Sequence, residues 1–169
     1  MESETGKVPC IGCGGLVPDV EGPVHRYLES SPGCWRVYGE VLAREYTDLA
    51  FWAEHRLTVD SYAVQHPGRR SPQTIQSVCV HLLSLCLVLE RGADPAYATR
   101  AMQAMVRKKD RFVWLTPPAS LGLITVVDVG AASTSAEHGQ MVRGWAKSAW
   151  SAWAPHHEIV RGWASSVDG

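Results

Sequence analysis

Two cysteines separated by two residues, Cys10 and Cys13, lie in a segment that has little else to hold it together. Residues 1–33 include Gly12, Gly14, Gly15, Pro18, Gly22, Pro23, Pro32 and Gly33, all of which break regular structure. Ordering so flexible a stretch costs conformational entropy that its few large apolar side chains do not offset by burial. A bound metal can offset it. Cys-x2-Cys at a glycine-rich turn is a zinc half-site, because the thiolates converge while the glycines let backbone amides turn towards sulfur. Cys34, in the first turn of an expected helix, is the third ligand, since the helix dipole there favours a thiolate. His25, in the loop between, is the natural fourth. The spacing Cys-x2-Cys-x11-His-x8-Cys matches no standard zinc-finger class, and it leaves His66, His81 or a carboxylate open as the fourth ligand instead. The expectation is a Zn2+ knuckle of Cys10, Cys13, His25 and Cys34.

Past residue 33 the pattern becomes helical. Ser31 as cap, Pro32 in the first turn, and Trp35, Tyr38, Leu42, Tyr46 and Leu49 at helical spacing predict a helix over 32–48. A second helix is expected over 49–66, with Phe51, Trp52, His55, Val59, Tyr62 and His66 near one face, ended by Pro67-Gly68. Ser71-Pro72 opens a third that runs to Gly92, and its apolar residues surround the axis, which marks the central buried helix. Asp94-Pro95 starts a fourth, closed by the basic Arg107-Lys108-Lys109. Residues 112–115 read as extended, and the β-branched run at 123–127 as one short strand, the two either pairing or lying as extended chain over the helices. A last helix starts at Ser133 or Ser135, and a further turn or two follows Pro155. The fold class is therefore mainly α: a bundle of about five helices with a loop-rich N-terminal zinc knuckle and at most one short β-pair. At 169 residues one domain is expected, residues 1–33 being stapled onto a bundle of 34–169.

Sixteen basic against seventeen acidic side chains leave a formal charge of -1, so no global field draws in a nucleic acid, and nucleic-acid binding is disfavoured. No uninterrupted apolar run reaches the roughly 18 residues of a membrane span. The opening Met-Glu-Ser-Glu-Thr-Gly has neither the basic nor the apolar region of a secretory signal, which points to a reducing cytoplasm and to free or metal-bound thiols. Cys79 and Cys86, seven residues apart in an apolar helix, read as packing residues.

A second constellation lies in the predicted second and third helices. His55, Tyr62 and His66 fall on roughly one stripe with Asp60 beside it, and His81 follows on the next helix. If His66 and His81 both point into the bundle, they and Asp60 make an acid/base or second metal site. The plainer reading is that each is a hydrogen-bonded helix residue. Either of His156 and His157 is a spare ligand for one of the two sites. The four tryptophans Trp145, Trp150, Trp153 and Trp163 suit core packing, with an aromatic pocket or partner groove as the other use. No phosphate loop, Gly-x-Ser-x-Gly or His-Glu-x-x-His motif occurs.

At Cys10-x2-Cys13, Gly22-Pro-x-His25, Ser31-Pro-Gly-Cys34-Trp35 and the segment from His55 to Gly68, the chain resembles an uncharacterised family of small bacterial proteins known only as a domain of unknown function. The resemblance implies a soluble bacterial protein whose cysteine pair binds metal, and it transfers no catalytic residue. Two functions follow as expectations. One is a cytoplasmic protein with structural zinc that binds a protein partner or small ligand through its bundle. The other is a small enzyme using His66, His81 and Asp60.

Overall fold

Residues 6–167 are described by the structure, a computed structural model. The leader-free reading of the first residues falls on 1–5 and so lies outside them. The cysteine-glycine run is the turn of a hairpin: β1 (Lys7–Pro9) pairs antiparallel with β2 (Leu16–Pro18), Val8 opposite Val17. The amide of Cys10 donates to the Gly15 carbonyl (2.8 Å) and that of Gly14 to the Cys10 carbonyl (3.0 Å). Gly14 has φ 75°, which only glycine adopts without strain.

Eight helices follow among the described residues: α1 (Pro32–Thr47), α2 (Leu49–Trp52), α3 (His55–Gln65), α4 (Pro72–Arg91), α5 (Pro95–Val106), α6 (Val126–Gly130), α7 (Ser135–Ala152) and α8 (His157–Val167). The chain is mainly helical with one two-stranded antiparallel sheet. The sheet is in the knuckle, not at 112–127. There Thr125 and Asp128 form a capping box that starts α6, the Asp128 carboxylate accepting the Thr125 amide at 2.7 Å. A two-donor helix start outweighs the β preference of two valines and an isoleucine in so short a run. Upstream of it the chain is irregular and is pinned by Gln65, whose side-chain amide donates to the carbonyls of Leu121 and Ile124.

α4 forms the centre. Ser71 caps it by accepting the Thr74 amide (3.1 Å), Pro72 opens it, and Gly92 closes it at φ 65°. By length and composition it could cross a membrane, but most of its apolar stretch is buried inside the bundle. It packs against α3, α5, α7 and α8, while α1 packs against α6. The tryptophans expected as core or groove are core: Trp145 and Trp153 are fully buried, and Trp150 and Trp163 nearly so. Cys79 and Cys86 are buried too, and burial pushes their thiols up to about 12 and about 11, which keeps them protonated and inert.

The predicted second helix is two, α2 and α3, separated by a turn at residues 53–54, and Asp48, which ends α1, at once caps α2 by accepting the Ala50 amide (2.9 Å). The buried face of α1 is Cys34, Tyr38, Val41 and Glu45; of the Trp35-to-Leu49 stripe Tyr38 is buried, Trp35 and Leu42 pack partly buried against the core, and Tyr46 and Leu49 are exposed. A carboxylate therefore points inward from α1, and its partners explain why. Glu45 accepts from His138 Nε2 (2.8 Å), His55 Nδ1 (2.7 Å) and the Thr58 hydroxyl (2.5 Å). Arg44 meets His138 on its other nitrogen (3.0 Å), so Nδ1 accepts and Nε2 carries the proton that Glu45 receives.

Candidate metal centre

Three separate stretches of chain deliver four ligand atoms to one point. Cys10 and Cys13 come from the hairpin turn, Cys34 from the first turn of α1, and His66 from the residue at which α3 unwinds (φ -125°, ψ 53°). Their Sγ and imidazole nitrogen atoms all lie within 4.8 Å of one another. Cys13 Sγ is 3.9 Å from Cys34 Sγ, and His66 Nε2 is 3.7 Å from Cys10 Sγ and 3.4 Å from Cys34 Sγ. Cys10, Cys34 and His66 are buried and Cys13 is partly exposed. These four residues form a site that can hold a metal ion.

Each ligand is held by a partner. The amides of Gly12 and Ser31 both donate to Cys10 Sγ at 3.4 Å, and the Tyr62 hydroxyl donates to Cys34 Sγ at 3.5 Å. His66 Nδ1 donates to the Tyr62 carbonyl at 2.7 Å, which orients the ring with Nε2 towards the sulfurs. The Tyr62 ring stacks on the His66 ring at 3.9 Å and on Tyr38 at 3.8 Å. Ser31 does not cap α1 through its side chain; its hydroxyl accepts the Ile11 amide instead (3.0 Å), tying the helix start to the knuckle. Gly12 has no room for a side chain, since a Cβ there would collide with the Glu29 carbonyl and sit 2.6 Å from His66 Cδ2.

Charge follows geometry. Hydrogen bonds from Cys13 and Cys34 hold the Cys10 thiol well below its ordinary range against the opposing effect of burial, with His66 and the Ser31 amide adding to them. Cys34 is pushed up, first by facing Cys10 and Cys13 and then by burial. Burial pulls His66 down, but Cys10 and Cys13 outweigh it and carry the imidazole up to about 9. The cluster concentrates negative charge beside an imidazolium, and a divalent cation would displace those protons.

The structure sends His25 elsewhere. Its Nδ1 accepts the Tyr27 amide (3.3 Å), and its ring lies edge-on to Tyr27 and 5.4 Å from Trp35. The reason is the course of the chain after β2. Residues 19–29 run mostly exposed, and the backbone rejoins the bundle only where Leu28 bridges Pro67 and the Glu29 amide meets the His66 carbonyl (3.2 Å). That contact brings His66, already open as an alternative fourth ligand, against the knuckle. His156 and His157 are engaged with the carbonyls of Thr116 and Trp150.

Of the expected acid/base trio, His66 has gone to the sulfurs, while Asp60 and His81 meet. Asp60, fully buried, accepts from His81 Nδ1 (2.7 Å), Ser84 Oγ (2.5 Å), and Arg56 Nε (3.1 Å) and Nη2 (2.7 Å). The residues that sequence reasoning missed are Tyr62 and Ser31 as supports of the ligands, and Glu45 with His138. For Ser31 the proximity to Cys34 was a usable signal; for Glu45 no signal in the local pattern existed.

A model of the family of unknown function DUF5946 matches residues 8–154, so the chain belongs to that family. No curated protein and no solved structure matches it.

Proposed function

We propose that this is a zinc protein in which one Zn2+ ion, held by Cys10, Cys13, Cys34 and His66, fastens the N-terminal hairpin to the bundle. The supporting observation is the spacing of the ligand atoms. Zinc bonds of about 2.3 Å to sulfur and about 2.0–2.1 Å to nitrogen, set tetrahedrally, require S···S separations of about 3.8 Å and S···N separations of about 3.6 Å. Three of the six separations, 3.9 Å for Cys13–Cys34 and 3.7 Å and 3.4 Å from His66 to Cys10 and Cys34, are close to those figures, and all six lie within 4.8 Å. Four protein ligands close the coordination sphere, and a closed sphere makes the ion structural. Thiolate ligands need a reducing compartment, and the cytoplasm is the location we propose. The function carried by the stapled fold is binding of a small ligand or protein partner through the helical bundle.

Titration with Co2+ under anaerobic conditions tests the site. The intense visible absorption of tetrahedral thiolate-bound cobalt is expected to saturate at one equivalent and to vanish when Zn2+ is added. His66→Ala should abolish that spectrum and His25→Ala should leave it intact. The reverse pattern would return the fourth position to His25.

A further inference from the structure

We propose that His81 is the general base of a hydrolytic site, separate from the metal centre, that takes small uncharged carboxylic esters. The support is a buried carboxylate used for orientation. Asp60 lies inside the protein and spends all its contacts on Arg56, Ser84 and His81. Its bond to His81 Nδ1 fixes that nitrogen as the donor and leaves Nε2 with a free lone pair. Among the described residues Nε2 has no hydrogen-bond partner, and His81 lines a cavity of about 620 Å³. An imidazole held on one side by a buried acid and open on the other to a cavity is built to take a proton from something in that cavity.

The walls decide the class of substrate. Ile75, Val80 and Phe112 supply apolar surface, while Gln73, Gln76 and Lys109 bring hydrogen-bond donors to the same space. A phosphate ester would find one cation there, Lys109, with Asp110 beside it, whereas a neutral acyl group with an apolar body fits both kinds of wall. Ser77 lies one turn before His81 in the same cavity, but no hydrogen bond joins it to Nε2, and we take water as the nucleophile. Water oxygen bonds to the acyl carbon as Nε2 takes its proton, and the carbonyl electron pair moves onto oxygen, whose charge the amide and ammonium donors of the cavity wall would stabilise. When the pair returns, the ester C–O bond breaks and the imidazolium gives its proton to the departing alcohol. The products are a carboxylic acid and an alcohol, with water as the sole co-reactant. Asp60 is a positioning residue in this scheme.

Hydrolysis of p-nitrophenyl butyrate by the metal-replete chain tests it. Saturable turnover is expected, with kcat lowered about 100-fold or more in His81→Gln and unchanged in His25→Gln. Asp60→Asn should also lower kcat and shift the 15N imidazole resonances of His81 away from the Nδ1–H form; if that variant fails to fold, His81→Gln alone decides. A rate that does not saturate, or that is equal in His81→Gln and the wild type, overturns the proposal.

Discussion

Removing the metal with excess chelator is expected to lower the melting temperature by about 10–20 °C or more and to release the N-terminal hairpin. Structural zinc contributes roughly 10–16 kcal/mol of apparent binding free energy in small zinc domains, comparable with the whole stability of an ordinary fold at about 5–15 kcal/mol. Even 5 kcal/mol lost from a chain of this size moves Tm by about 10–20 °C. The hairpin has little to fall back on, since β1 and β2 are three residues each and Ile11 and Leu16 face solvent. The bundle around α4 keeps its own core, so much of the helical circular dichroism should survive below the transition. Cys34→Ser should reproduce the chelated protein, and chelator should then have no further effect on it. Cys86→Ala should keep the metal. Coincident melting curves for treated and untreated wild type would mean that the ion, if bound, does not hold the fold.

Glu45→Ala is expected to cost about 3–5 kcal/mol, the usual penalty for breaking a buried charged network by removing one partner. Its carboxylate is the common acceptor for His138, His55 and Thr58, and His138 is itself fully buried. Truncation leaves the His138 Nε2–H without its acceptor in the interior, takes the acceptor of His55 Nδ1 as well, and leaves the Thr58 hydroxyl only the Glu54 carbonyl at 3.4 Å. The fall in Tm should be roughly 6–20 °C, with metal content unchanged. Glu45→Gln should fall between, because the amide keeps one acceptor but presents its NH2 to groups that are donors. A Glu45→Ala protein that melts within a degree or two of wild type would show that the network contributes nothing net.

The same two sites show what could be read from the chain and what could not. The helix starts at Pro32, Pro72 and Pro95 follow from a polar residue before proline, and the structure has them there, although only Ser71 and Asp94 cap through their side chains while Ser31 holds the knuckle. Cys10, Cys13 and Cys34 could be grouped because glycine-rich loops rarely bury thiols without a reason. The fourth position could not be fixed in the same way. His25 is nearer in sequence, but proximity along a loop says nothing about where the loop goes, and the Leu28–Pro67 bridge that brings His66 to the sulfurs is a tertiary contact. Glu45 was hidden for a related reason. A glutamate counts as polar in any helical pattern, and only the imidazole from α7 and the groups at the start of α3 make its burial tolerable. The run at 123–127 misleads in the opposite sense, because its valines suggest a strand while Thr125 and Asp128, three residues apart, already spell a helix cap.

X-ray absorption at the zinc K edge of the purified, metal-loaded chain tests the central claim most directly. Coordination by Cys10, Cys13, Cys34 and His66 predicts three sulfur neighbours at about 2.3 Å and one nitrogen at about 2.0–2.1 Å for each zinc. A shell of nitrogen and oxygen alone, or a protein that takes up no zinc, would contradict it.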